Sequence, residues 1–142
     1  MPTLSSAISA SASALSAERT RIEVAVSNLA NAESTRSEDG TPYRRRDVVL
    51  AANQVTTFDA ALGRSGATGV KVAAVVEDQS PFRKRYEPSH PDADADGFVS
   101  LPNVDAPQEM VDMLGAARAY QANLAAISII KDIVAKALEL GR

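Results

Sequence analysis

Large apolar residues repeat at helical spacing near the start of the chain. Residues 4–31 contain neither proline nor glycine. Within them, Ile8, Leu15, Ile22 and Leu29 recur at seven-residue intervals, which places them on one side of a helix. The pattern predicts a helix roughly 40 Å long whose apolar side packs against another helix.

A second helical repeat fills the last third of the chain. Asp105 is a suitable N-cap, with Pro107 in the first turn and Gln108 three positions after the cap. Apolar positions then continue at 3-4 spacing for about 30 residues. A helix with apolar residues on most of its sides is not covered by so small a protein, which predicts burial in an assembly. The predicted seam consists of Met113, Ala117, Tyr120, Leu124, Ile127, Val134 and Leu138.

The middle of the chain, residues 32–103, differs in composition from the two helical segments. It holds most of the prolines and glycines, and short runs of β-forming residues stand between these breakers. The runs at 47–50, 70–76 and 98–101 predict a small antiparallel sheet with loops.

These three segments define the expected fold class, which is mainly α with a small β-rich insert. Residues 1–31 and 104–142 are expected to form one discontinuous helical domain, the two long helices pairing in a coiled-coil-like layer. Residues 32–103 form the central insert between them.

Composition narrows the possible functions. The 142-residue chain has no cysteine, a single histidine (His90) and a net charge of −3. Disulfide frameworks, thiol nucleophiles and thiolate metal sites are therefore excluded, and a histidine-based zinc site or catalytic triad is disfavoured. The start of the chain lacks the basic region of a secretory signal. We expect neither an enzyme nor a cofactor, and a location reached without a cleaved signal.

One acidic run suggests an alternative function. Residues 92–97 (Asp-Ala-Asp-Ala-Asp-Gly) match the first six positions of an EF-hand calcium loop. The twelfth position, which needs a bidentate glutamate, is Asn103. The alternatives are a calcium-responsive helical scaffold and a turn in which the aspartates accept backbone N–H groups and Gly97 adopts a positive φ.

Two basic triplets suggest another alternative. Residues 44–46 (Arg-Arg-Arg) and 83–85 (Arg-Lys-Arg) lie beside aromatic residues, a pattern found in proteins that bind single-stranded nucleic acid. Acidic residues flank both triplets, and the whole chain is acidic. The favoured interpretation is therefore paired strands whose basic side chains form salt links to a protein neighbour.

Several motifs resemble a known family. The run Asn-Leu-Ala-Asn-Ala at residues 28–32, followed by Ser34 and Thr35, is similar to the signature that ends the first helix of flagellar axial proteins (rod, hook and hook-associated). Further runs at 40–45, 86–94, 97–104, 109–113 and 117–123 follow in the order typical of proximal rod proteins. The motif residues are Asn28, Asn31, Pro42, Tyr43, Pro88, His90, Pro91, Asp92, Asp94, Gly97, Pro102, Asn103, Glu109, Met110, Arg118, Tyr120 and Asn123.

The resemblance implies a structural role in the bacterial flagellum. Such a protein is exported by the flagellar type III apparatus without a cleaved signal. It polymerises into the rod, the drive shaft that crosses the periplasm, transmits torque and surrounds the export channel. The implied partners are other copies, rod proteins of the FlgB, FlgF and FlgG types, a FliE-type adaptor and the MS ring. Neither nucleic acid nor direct membrane insertion is implied.

Overall fold

The computed structural model describes residues 4–37, 40–53 and 68–140. Within these residues, two long helices flank four strands in sequence order. The elements in order are α1 (Leu4–Ala30), β1 (Arg46–Asn53), β2 (Gly69–Glu77), β3 (Arg83–Tyr86), β4 (Phe98–Leu101) and α2 (Ala106–Leu140). The predicted fold class is confirmed.

Both helices begin and end close to the predicted positions. Helix α1 ends at Ala30, one residue before the predicted end, and the Asn31 side chain donates to the Ser27 carbonyl (2.8 Å) beside this terminus. Helix α2 begins directly after Asp105, whose carbonyl accepts the Glu109 N–H (3.0 Å). Asp105 therefore occupies the N-cap position that the sequence predicts.

The helices pack against each other as an antiparallel pair. Asn28, near the end of α1, donates to Glu109, near the start of α2 (2.9 Å). Farther from this contact, Arg19 of α1 lies near Tyr120 of α2. The pKa of Arg19 is raised mainly by its hydrogen bond to Glu23, and the electrostatic effect of Tyr120 adds to the rise. Because α2 has 35 residues and α1 has 27, the carboxyl end of α2 extends beyond the start of α1.

A two-stranded ribbon, β1 paired antiparallel with β2, lies along α1. At one end of the ribbon, the Arg46 N–H of β1 donates to Asn28 (3.0 Å). Near the other end, the Val70 N–H of β2 donates to the Ser13 hydroxyl (3.0 Å). The pairing shifts between Val49 and Leu50, which leaves Ala73 as the extra residue of a β-bulge. Helix α1 therefore lies against both the second helix and the ribbon.

A second small sheet pairs β3 with β4 antiparallel. Strand β3 was not among the three predicted β-forming runs, since Arg-Lys-Arg-Tyr is exposed throughout and lacks the alternation of apolar and polar residues that marks a half-buried strand. Only the paired-strand interpretation of the basic triplet at 83–85 indicated it. Strand β4 supplies the apolar core of this region, with Val99 and Leu101 buried, and Val104 is buried just before α2 begins. The larger buried apolar side chains therefore lie where the insert meets the amino end of α2.

Candidate assembly interface

A buried polar cluster joins the two helices to the insert. Glu109 is 2% exposed and Asn28 is 1% exposed. The Glu109 carboxylate accepts from Asn28 Nδ2 (2.9 Å) and from Arg45 Nε (2.5 Å). Tyr43 donates its hydroxyl to Asn28 Oδ1 (2.9 Å), and the Arg45 N–H donates to Asn103 Oδ1 (2.9 Å). These five residues, Asn28, Tyr43, Arg45, Asn103 and Glu109, form the junction of the molecule.

Arg45 is the only cation of the junction. Burial by itself lowers the pKa of Arg45, but the hydrogen bond and charge of Glu109, with smaller contributions from Asp47 and Asp78, outweigh burial and raise it. Arg45 therefore stays charged and neutralises the buried carboxylate. Because an unpaired buried charge is costly, Arg45 and Glu109 depend on each other.

The remaining arginines of the two basic triplets also bind groups of this chain. Arg44 lies over the Phe82 ring (4.4 Å to its centre), and Arg46 approaches Glu77 (4.0 Å). Arg83 donates to the carbonyls of Ala32 and Pro102 (3.1 and 3.0 Å). Arg85 pairs with Glu33 (2.8 Å) and Glu87 (2.9 Å). Paired strands carrying salt links are confirmed, and the links seen here run within the chain.

The acidic run forms a turn. Asp94 Oδ1 accepts the N–H groups of Asp96 (3.0 Å) and Phe98 (2.8 Å). Gly97 has a φ of 81°, and a side chain there would approach the Tyr86 ring to 2.9 Å. Asp92 accepts instead from the Thr35 hydroxyl (2.8 Å) and pairs with Arg36 (2.6 Å). The turn interpretation is confirmed for Asp94 and Gly97, and these contacts give no support to a calcium-responsive scaffold.

The predicted seams separate into a covered part and an exposed part. Their covered members are half-buried: Ile8, Leu15, Ile22, Leu29, Met113, Ala117, Tyr120 and Ile127. Leu124, Val134 and Leu138 are 53%, 36% and 70% exposed. Since Asn28 lies opposite Glu109, the first described residue of α1, Leu4, lies at the height of residue 133. Positions 134 and 138 therefore extend past α1.

Other family-motif residues serve local structure. His90 Nδ1 accepts the Asp92 N–H (3.1 Å), and Asn123 donates to the Ala119 carbonyl one turn earlier (2.9 Å). Pro102 is buried, whereas Met110 is 56% exposed. Pro42 is half-buried, Pro88 lies against Gly97, and Pro91 and Arg118 are exposed.

Two contributors were missed by sequence reasoning. Arg45 was placed in a basic triplet, although alternation along an extended strand would have put it on the same side as Tyr43. Sequence patterns gave no role to Ser13. Its hydroxyl donates to the Ala10 carbonyl (2.7 Å) while accepting the Val70 N–H.

The chemistry that the described residues offer is that of packing and pairing. A cleft of about 330 Å³ lies between α1, α2 and β1, but its lining includes the already paired Asn28, Arg45 and Glu109. In the described part of the chain, no group of three or more His, Asp or Glu side chains is placed to hold a metal ion. Neither α1 nor α2, within residues 4–140, has a stretch long and apolar enough to span a membrane.

Comparison with known proteins agrees with this architecture. Residues 8–36 match the model of the flagella basal body rod protein family, and residues 95–140 match the model of the flagellar basal body rod FlgEFG protein C-terminal family. These segments contain nearly all of α1 and α2. The two antiparallel terminal helices around an insert thus define a flagellar axial protein of the rod class.

Whole-chain relatives identify the family within that class. The chain is 47% identical over 130 residues to the flagellar basal-body rod protein FlgC of Salmonella typhimurium, covering 92% of each. It is 42% identical over 146 residues to FlgC of Bacillus subtilis (95% of this chain and 96% of the relative). Identity to FlgC of Borreliella burgdorferi is 37% over 151 residues (96% and 97%). The chain belongs to the FlgC family of flagellar basal-body rod proteins and is a structural subunit of the rod.

Proposed function

We propose that this subunit polymerises through the exposed apolar residues of its helices. The observation that carries the proposal is the state of residues 131–140 of α2, all of which are exposed. We call these residues the distal end. Ile133, Leu138 and Leu140 there are 51%, 70% and 90% exposed. Since fully burying such a side chain contributes about 1.5–3 kcal/mol, contact with neighbouring subunits provides a strong driving force for assembly.

The partners that fit this surface are other subunits with similar helices. We propose that they are other copies and the FlgB, FlgF and FlgG types of rod protein, together with a FliE-type adaptor and the MS ring. In this arrangement the helical domain (residues 1–31 and 104–142) surrounds the export channel. The insert (residues 32–103) adds lateral contacts. Heterologous contacts of this kind extend into a filament rather than closing on themselves.

The proposed role needs stiffness and continuity rather than catalysis. A rotating shaft transmits torque across interfaces, and long helices packed in layers resist bending along the shaft. We propose that the protein has no catalytic activity, reaches the rod through the type III apparatus without a cleaved signal, and occupies the part of the rod that crosses the periplasm. The antiparallel helices and the exposed apolar side chains of the distal end support that role.

The test places a charge on an exposed part of the predicted seam. Leu124 is 53% exposed, so Leu124→Asp leaves the monomer folded. In a rod the same carboxylate would enter an apolar contact, at a cost of several kcal/mol per subunit. We expect exported, soluble protein with no rod and no swimming, measured by secretion assay, electron microscopy of basal bodies and motility agar.

A matched control separates charge from position. Ser16→Asp introduces the same residue at an exposed polar position of α1, outside the predicted seams and the distal end, and is expected to leave swimming intact. Ile22→Asp is expected to stop assembly as well, but Ile22 is half-buried within the chain, so its monomer stability must be measured beside it. Normal rods in the Leu124→Asp strain would contradict the proposed packing.

A further inference from the structure

The fully buried apolar positions of the two helices carry small side chains, whereas the large seam residues are at most half-buried. The apolar residues that are fully buried in α1 and α2 are alanines: Ala17 (1% exposed), Ala25 (5%) and Ala116 (1%). Alanines allow the helices to approach closely, but each offers one small methyl group. Moving one such surface along another changes the buried area little, so these contacts define the position of one helix along the other only weakly.

The junction has the opposite properties. Glu109 of α2 meets Asn28 of α1 and Arg45, which immediately precedes β1, through two directional bonds. Asn28 is itself fixed to the backbone of Arg46 by bonds in both directions (2.8 and 3.0 Å). Shifting α2 by one helical turn, about 5.4 Å, would break both Glu109 bonds and leave a buried carboxylate without partners. Only one position of α2 satisfies the cluster.

We propose that the buried Arg45–Glu109 pair, held by Asn28, sets the axial register of α2 against α1. Its role is specificity of alignment, comparable to that of a single buried polar residue in a coiled coil. The register in turn determines how far the distal end extends past α1. The inference concerns the chain itself and does not depend on how subunits pack in the rod.

An apolar contact offers a competing explanation. Val104, directly before α2, is fully buried beside Val99 and Leu101, and it could fix the start of α2 instead. Apolar burial is non-directional, so we assign register to the polar cluster and test both. The two explanations predict different results for different variants.

The experiment measures the register of the two helices as the distance between two spin labels, by double electron–electron resonance. The chain has no cysteine, so Ser9→Cys and Val111→Cys supply the only labelling sites. Both positions are exposed and lie on opposite helices, roughly 25 Å apart along the axis. A slip of one turn changes that distance by about 5 Å. The labelled, otherwise native protein is expected to show a single distance.

The test variant replaces the pair with apolar residues of similar size, Arg45→Met with Glu109→Leu. It keeps Asn28 bonded to Arg46, so folding is expected to persist while the distances divide into populations about 5 Å apart. The control Arg19→Met with Glu23→Leu removes an exposed ion pair of α1 (2.8 Å) and is expected to keep the single distance. Val104→Ala is expected to keep it as well.

Several outcomes overturn the proposal. An unchanged single distance in the Arg45→Met, Glu109→Leu protein would show that register has another origin, and divided distances in Val104→Ala would identify the apolar contact as that origin. Loss of helical circular dichroism in the double variant would assign the pair to stability rather than alignment. A native background without one preferred distance would refute a register set within the monomer.

Discussion

The two ends of the helical pair are built from different chemistry. At the junction, Asn28 and Glu109 are almost completely buried, and their polar atoms bond to the insert. At the distal end every residue from 131 to 140 is exposed, including several large aliphatic side chains. Directional bonds define a structure within one chain, whereas exposed apolar surface is satisfied by any well-shaped neighbour. The contrast separates the part that organises the subunit from the part available for association.

The largest expected effect is a gradient of local stability between the two ends. Amides near Ala25 and Asn28 open only with global unfolding, because α2 and β1 cover them. Amides of residues 136–140 open with almost no free-energy cost. Native-state hydrogen exchange on the monomer should show protection that differs by about 10³-fold or more. Equal protection along α2 would remove the distinction.

Next in size is the loss of one partner of the buried ion pair. Glu109→Ala leaves the partly buried Arg45 with only the longer ion pairs to Asp47 and Asp112 (3.8 Å each). We expect a loss of about 3–5 kcal/mol in the free energy of unfolding. Urea denaturation followed by circular dichroism measures it. Glu23→Ala, which breaks an exposed ion pair, is the control and should cost no more than about 0.5 kcal/mol. Similar losses in both would contradict the importance of burial.

A smaller effect on the free energy of unfolding is expected midway along the helical pair, where Ser13 contacts the ribbon. Ser13→Ala removes the acceptor of the Val70 N–H, and we expect a loss of about 1 kcal/mol. Ser16→Ala is a matched control, since Ser16 is exposed on the same helix and alanine is the better helix former. Thermal unfolding of the two variants should shift in opposite directions. Equal shifts would show that the hydroxyl contact contributes nothing.

The smallest effect on the monomer is expected at the distal end. Ile133 is 51% exposed, so Ile133→Asp should change the free energy of unfolding by no more than about 0.5 kcal/mol. Urea denaturation of the purified monomer checks this value. A loss comparable to that of Glu109→Ala would mean that Ile133 is buried within the free chain, and the comparison between the ends would fail.

Sequence patterns predicted the positions of the helices and strands more reliably than they predicted which residues are buried. Both helices and three strands lie where repeats and breakers predicted them. The large apolar stripe was expected to form the contact, yet Ala17 and Ala25 are the most buried apolar residues of α1. The reason is three-dimensional: α1 lies between α2 and the ribbon, and small side chains permit close approach on both sides. Periodicity within one helix does not contain that information.

The junction shows a second limit. The resemblance marked Asn28, Tyr43, Asn103 and Glu109 as motif residues, but nothing in the sequence indicated that they meet. Arg45 and Glu109 lie 64 positions apart, and no local pattern pairs a given arginine with a given glutamate over that separation. Their partnership follows only from the antiparallel arrangement of the helices and the path of the strand between them.

The separation along the chain also bears on the order in which the protein folds. The bond between Asn28 and Glu109 closes a loop of 81 positions, and closing a loop of that length has an entropic cost that must be met before the contact stabilises anything. If the chain is delivered from its amino end, α1 emerges long before its partner. A chain threaded through a narrow passage therefore cannot complete its helical pair until most of it has emerged, and the native alignment is a late event.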